Sequence, residues 1–200
     1  VLKLFGKSTS INVRKVLWAC AELNIPLSHE QANGDDVQHL NPNALVPVID
    51  DAGFVLWESN SIIRYLANRE QAGWLYPAVA AQRARVDQWI DWQAADLNRT
   101  WSYAFMALVR RSPAHDDPAQ IRASVQNWNC SMEILDRQLA VTGGHAVGAQ
   151  FSLADVPVGL SVNRWYETPI DHPDLPNVRA YYERLAERPG YQAFGRNGTP

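Results

Sequence analysis

The 200-residue chain has only two cysteines, Cys20 and Cys130, far apart in sequence. That excludes a disulfide framework and, with no Cys-x-x-Cys pair, dithiol redox chemistry, so a reducing compartment is expected. Histidine is also sparse, with five in the chain. His29, His39, His115, His145 and His172 lack metal-ligand spacing, so no metal is expected. No apolar run approaches the ~20 residues a membrane span needs. The leading segment is strand-like and does not read as a signal peptide, so a cytoplasmic chain away from membranes is expected. Eighteen Lys and Arg against 21 Asp and Glu leave a net charge of −3 with the arginines dispersed, which disfavours nucleic-acid partners. Gly6-Lys7-Ser8 lacks the glycine five residues before its Gly-Lys pair, since position 1 is Val1, and so is not a phosphate-binding loop.

What is present is an ordinary globular composition, 46% hydrophobic and 20% charged, with eight tryptophans. The most informative segment is Leu45-Val46-Pro47-Val48-Ile49, followed by Glu58-Ser59 at the head of an apolar helix. Proline removes a ladder donor and belongs at a strand's first residue or edge. A cis Val46-Pro47 turn would leave the Val46 N–H and C=O free to pair with an extended peptide-like ligand. Ser59 precedes Asn60-Ser61-Ile62-Ile63 and sits where an N-cap is expected, where helix N–H groups attract a carboxylate. Glu58 beside it could hold an ammonium, so the pair could receive an amino-acid head group. Each feature alone has a plainer reading, Ser59 as a cap and Pro47 as a strand start.

The first part of the chain alternates strand and helix. Strands are expected at Val1–Phe5, Leu27–Glu30, Val48-Ile49 and Phe54–Trp57, with Asp51-Ala52-Gly53 as a hairpin turn. A helix carries the stripe Val13, Val16, Leu17, Cys20 and Leu23, a short one lies around Asp35–Leu40, and another runs from Ser59 to about Asn68. The fold class is therefore α+β, βαβαββα followed by an all-α bundle. Residues 1–73 would form the first domain, 74–79 a linker and 80–200 the helical domain. The longest helix is expected from about Ala80 to Arg111. Its core stripe is Val86, Ile90, Gln93, Leu97, Trp101, Ala104 and Leu108, with a second stripe of Trp92, Asp96, Arg99, Tyr103 and Met106 facing a ligand or a second subunit. Ser152-Leu153-Ala154-Asp155 has the S-x-x-D form of a capping box, with Phe151 stapling onto Val156. A helix from Pro176 to about Arg188 is expected to stop at Pro189-Gly190.

Taken together, Ser10-Ile11-Asn12-Val13-Arg14-Lys15-Val16, Val46-Pro47, Glu58-Ser59 and Ser152–Asp155 resemble the cytosolic glutathione transferases, specifically bacterial serine-type, theta-like members. The resemblance covers essentially the whole chain and implies a thioredoxin-like first domain, glutathione as co-substrate and a homodimer. It also implies that Ser10, assisted by Asn12, donates to the glutathione thiolate. Thr9 is a weaker substitute. Val46 would pair with the cysteinyl backbone, Pro47 would hold the cis turn, Glu58 and Ser59 would receive the γ-glutamyl end, and His39 or Gln38 would reach the glycyl carboxylate. The pocket for a small hydrophobic electrophile would come from Arg99, Tyr103 and Met106, with Trp165 or Tyr166 contributing. Many relatives use tyrosine or cysteine in place of Ser10, and neither lies between Gly6 and Asn12. Two alternatives stay open: glutathione-dependent peroxide or disulfide reduction, and a non-catalytic binding or regulatory protein on the same fold.

Overall fold

The computed structural model describes residues 1–200. Leu2 and Leu4 are buried while Val1 and Lys3 are exposed, the period-two pattern of a half-buried strand, and they form β1 (Leu2–Phe5). The elements that follow are α1 (Ile11–Glu22), β2 (Leu27–Glu30), α2 (Gly34–Val37), β3 (Val48–Asp51), β4 (Phe54–Trp57) and α3 (Ser59–Arg69), the expected βαβαββα order. The four strands form one mixed sheet in the order β2-β1-β3-β4. β1 runs parallel to β2, with Leu4 opposite His29, and antiparallel to β3, with Leu4 opposite Ile49. β3 and β4 are antiparallel, joined by Ala52 and Gly53 at φ 53° and 95°. Two successive positive φ values are what a two-residue turn needs to follow the sheet's twist. This is the thioredoxin-like layer of the molecule.

A helical layer follows, comprising α4 (Ala80–Trp92), α5 (Asn98–Leu108), α6 (Pro118–Thr142), α7 (Asp155–Glu167), α8 (Pro176–Ala186) and α9 (Pro189–Phe194). The single helix expected from Ala80 to Arg111 runs without a break from Ala80 to Leu108 but is not α-helical throughout. Gln93–Leu97 is π-helical, and the helix ends at Leu108, ahead of Arg111 with its φ of 51°. The wider turn begins at Gln93, whose fully buried amide donates to Asn98 Oδ1 at 2.8 Å and Ser161 Oγ at 2.9 Å. Residues on both sides keep an apolar stripe, so hydrophobic periodicity alone does not reveal the inserted turn.

α8 ends at Ala186, just ahead of Pro189-Gly190 as expected, and Pro189-Gly190 also opens a further helix, α9. Proline suits the first helical position, and Gly190 is needed because a Cβ there would lie 2.6 Å from Trp18 Cδ1. The Ser152–Asp155 box forms only its return half. The helix starts at Asp155, and the Ser152 hydroxyl caps nothing but donates to Asp155 Oδ2 at 3.1 Å. The Asp155 carboxylate also accepts from Ser152 N–H, Ala146 N–H and the Tyr181 hydroxyl, each at 2.8 Å. One fully buried carboxylate thus ties the 146–152 loop to α7 and α8.

The core is continuous across both layers. Residues Val13 to Cys20 of α1 are buried without a break, because the helix has the sheet and α3 on one side and α7 and α9 on the other. Burial pushes the Cys20 thiol up to about 12, which makes it an inert core residue. Removing the Asp155 carboxylate would strand four buried donors. Asp155→Ala is therefore expected to lower unfolding free energy by about 3 kcal/mol or more, read from urea midpoints, with Asp155→Asn losing less because it keeps one acceptor oxygen.

Candidate active site

The loop between β1 and α1 turns at Gly6, whose φ is 151° and whose missing Cβ leaves room for Val13 and Val46. Any side chain there would collide with Val13 Cγ2, so glycine brings the start of α1 against the segment preceding β3. The Val46–Pro47 bond is cis. The Val46 N–H and C=O make no main-chain hydrogen bond within the protein. The buried Asn41 shapes this segment, donating from Nδ2 to Leu45 O at 2.8 Å and accepting from Asn43 N–H at 3.0 Å.

Ser10 is the N-cap of α1 with extended backbone (φ −78°, ψ 125°), yet its hydroxyl makes no capping hydrogen bond. Its side chain is left uncommitted at a helix N-terminus. Glu58, not Ser59, occupies the N-cap position of α3, with φ 72° and ψ 107°. A non-glycine residue held there stores about 1–3 kcal/mol of strain. Ser59 is the first helical residue, buried, and its hydroxyl donates to Asn12 Oδ1 at 3.3 Å. Ser10, Asn12, Val46 and Ser59 therefore belong to one neighbourhood.

Ser10 opens into a cleft of about 490 Å³ between the two layers. Lys7, Thr9, Ser10, Ile11, Asn12 and Val46 line one wall, and Trp101, Ser102, Phe105, Met106, Arg110 and Arg164 line the other. A larger hollow of about 760 Å³ lies beside α6 and residues 169–173 and contains none of these groups. Three buried cations gather at this seam, Arg164 in the cleft wall and Arg14 and Lys15 outside the lining. Lys15 Nζ donates to Asn60 Oδ1 at 3.3 Å and Gln93 Oε1 at 3.1 Å. Burial, then repulsion from Arg164, pull its pKa down to about 7 against the attraction of Glu58. Arg164 is 3% exposed and stacks on Trp101 and Phe105 at 4.5 and 4.0 Å. No group of three or more His, Cys, Asp or Glu is arranged to hold a metal.

Of the residues expected to form the electrophile pocket, Met106 lines the cleft and the other three do not. Arg99 has a side chain 78% exposed and donates to Ala95 O at 3.2 Å. Tyr103 faces His115 with ring centroids 4.9 Å apart and accepts from Asp117 N–H at 3.3 Å. Trp165 is fully buried, donating to Asn129 Oδ1 at 2.9 Å, with its neighbour Tyr166 packed against it. Beside Met106, the cleft draws on Trp101 of the core stripe and on Ser102 and Phe105. His39 is exposed after α2 and lines a separate hollow with Phe5, Glu30 and Asp36, while Gln38 is the C-cap of that helix. Arg110 and Arg164 went unrecognised in the sequence. The available signal was that Arg164 is the one charged residue between Asp155 and Glu167 in the mostly apolar α7.

A thioredoxin-like sheet joined to a helical layer, with a hydroxyl at the first helix's N-terminus facing a cis-proline loop, defines a class of thiol-binding folds. A model of the glutathione S-transferase N-terminal domain matches residues 4–73. The chain is 31% identical over 198 residues to glutathione S-transferase GstB of Escherichia coli strain K12, covering 94% of this chain and 95% of that one. It is 27% identical to glutathione S-transferase theta-1 of Rattus norvegicus, covering 97% and 86%. The crystal structure of the theta class glutathione S-transferase from the citrus canker pathogen Xanthomonas axonopodis pv. citri, with glutathione bound, superposes with a TM-score of 0.87 at 34% identity. That match covers 97% of this chain and 96% of the other. The chain belongs to the glutathione S-transferase family.

Lys15 gives up its proton near pH 7 in the folded protein, against an ordinary value of 10.5. The unfolded chain binds the extra proton between those values, so stability rises with pH across that window. The unfolding free energy of the wild type minus that of Lys15→Met should climb by about 3 kcal/mol from about pH 6 to about pH 9.5. A pH-independent difference would show that Lys15 keeps its ordinary protonation.

Proposed function

We propose that the chain is a serine-type glutathione transferase that joins the glutathione thiol to small hydrophobic electrophiles. The observation that carries this reading is the uncommitted Ser10 hydroxyl at the N-terminus of α1, in the same cleft as Val46. A cysteine thiol has a reference pKa near 8.5, so lowering it by about two units takes about 2.7 kcal/mol of preferential stabilisation of the thiolate. A hydroxyl donor backed by helix N–H groups is suited to that task. Asn12 orients Ser59 through its Oδ1 and keeps its amide N–H groups for ligand. In this reading Val46 pairs with the cysteinyl main chain beside the cis Pro47, Glu58 and Ser59 receive the γ-glutamyl group, and His39 reaches toward the glycyl end. Glutathione is then held by residues 1–73, with 74–79 as a linker and the electrophile side within 80–200.

Cys20 is buried in the core and Cys130 does not line the cleft, so no thiol of this chain competes with glutathione there, which favours conjugation over glutathionyl-cysteine chemistry. A cytoplasmic homodimer belongs to the same reading. The half-buried, edge-packed pair Trp89 and Trp92 and the exposed Phe54 and Val55 on β4 support a subunit contact. A monomer by sedimentation would remove it.

The central test follows the ultraviolet absorbance of bound glutathione thiolate against pH. Wild type should show a thiol pKa well below 8.5. Ser10→Ala should raise it by about one to two units and lower kcat/KM by about 10²-fold. Absence of glutathione binding would instead favour a non-catalytic protein on this fold. Glu58→Gly should separate two effects, raising stability by up to about 1 kcal/mol by relieving the positive φ while weakening glutathione binding about tenfold. Calorimetric titration and thermal unfolding of the same variant read both.

A further inference from the structure

We propose that the electrophile this cleft accepts is an acid: a flat apolar body bearing one anionic group of carboxylate or sulfonate size, held by Arg110 and Arg164. The inference rests on the transferase reading and adds the chemical class of its second substrate. The cleft lining includes three cations, Lys7, Arg110 and Arg164, and no Asp or Glu. None of the three takes part in a salt bridge, whereas Arg64, Arg69, Arg179, Arg188 and Arg196 all do.

Arg164 is the decisive group. It is 3% exposed, its Nε has no hydrogen-bond partner, and its Nη2 makes a single contact, to the main-chain oxygen of Pro200 at 3.5 Å. The neighbouring Arg14 is better served. Its Nη groups donate to the main-chain oxygens of Thr199 at 2.7 Å, Pro200 at 2.8 Å and Phe194 at 3.4 Å. A buried guanidinium with no side-chain carboxylate against it is costly, and buried charges are as a rule paired. Burial, then the Arg14 and Arg110 charges, pull Arg164 down to about 9, and no carboxylate opposes them.

Geometry adds shape to the charge. Trp101 and Phe105 stack on the Arg164 guanidinium, which occupies its faces and leaves the donors in its plane for an anion. The same rings supply apolar surface for a flat substrate body. Arg110 is exposed just beyond α5, lies 5.4 Å from the Phe105 ring centroid and makes no side-chain hydrogen bond, so it can meet an incoming anion first. In the reaction, the glutathione thiolate, its proton already released to solvent, attacks the ring carbon of an aryl halide. The C–S bond forms, the carbon–halogen bond breaks, and halide leaves with the electron pair.

The test compares 4-chloro-3-nitrobenzoate with 4-chloro-3-nitrobenzamide, each rate divided by its spontaneous reaction with glutathione. Wild type should favour the acid at least about tenfold in kcat/KM, and Arg110→Gln should reduce that ratio about tenfold. Because Arg110 is exposed, this variant keeps its fold, and Arg164→Lys tests the buried partner by the same ratio. Equal preference in wild type, or an unchanged ratio in Arg110→Gln, overturns the inference while leaving the transferase reading intact. Calorimetry with the unreactive pair 4-nitrobenzoate and 4-nitrobenzamide reads the anion site without turnover. Preferential benzoate binding that Arg110→Gln abolishes, with no conjugation of either halide, would keep the anion site and remove the transferase reading. Equal binding of the two overturns the inference whatever the conjugation rates.

Discussion

The burial of Trp18 between the two layers is the contact on which the rest of the arrangement depends. Its ring packs on Tyr191 at 4.8 Å and Phe151 at 5.7 Å, with no exposure to solvent. Gly159 and Gly190 leave the space it fills, since a Cβ on either would approach the indole within 3.2 Å. The indole N–H donates to Glu22 Oε1 at 2.7 Å, and Arg188 closes on the same carboxylate at 2.9 and 2.6 Å. An aromatic side chain of this size contributes several kcal/mol through apolar area alone. Because Trp18 is on α1, docking it also sets where the N-terminus of α1 points. Ser10 and Asn12 thus face the cleft through a contact two turns further along the same helix.

The seam between the layers also carries the molecule's least comfortable charges. Arg14, Lys15 and Arg164 are each no more than 3% exposed. Lys15 meets only neutral amide oxygens, and Arg14 only main-chain oxygens. Dipoles soften buried charge but do not neutralise it, and the lowered values of all three groups express the remaining cost. Such an arrangement costs stability at a site where binding can return it. The strained Glu58 backbone is a second instance within the same neighbourhood.

Much of the fold could be read from local pattern. The element order of the first domain follows from strand and helix alternation and the turn at Ala52-Gly53, and the family resemblance from four short motifs in register. The start of α9 could not, because Gly190 is small to admit Trp18, a partner far away in sequence. Neither could the π-helical segment, since its apolar residues continue the stripe on both sides of it. Among the candidate site residues, Ser10, Val46, Glu58 and Ser59 stand out in the sequence because turn and cap chemistry marks them locally. Arg99, Tyr103 and Trp165 were expected on a pocket face that lies elsewhere.

The sequence by itself determined the α+β order, the hairpin, the proline at the head of β3 and the polar residues that open α1 and α3. Each of these depends on backbone preferences of residues within a few positions of one another. Only the tertiary structure decided which face of the long helical segment lines the cleft, that Asp155 gathers donors from three separate segments, and that Arg110 and Arg164 converge with no acid nearby. The reason is that burial and charge pairing are settled by packing across the two layers, where the partners are distant in the chain and carry no shared local pattern.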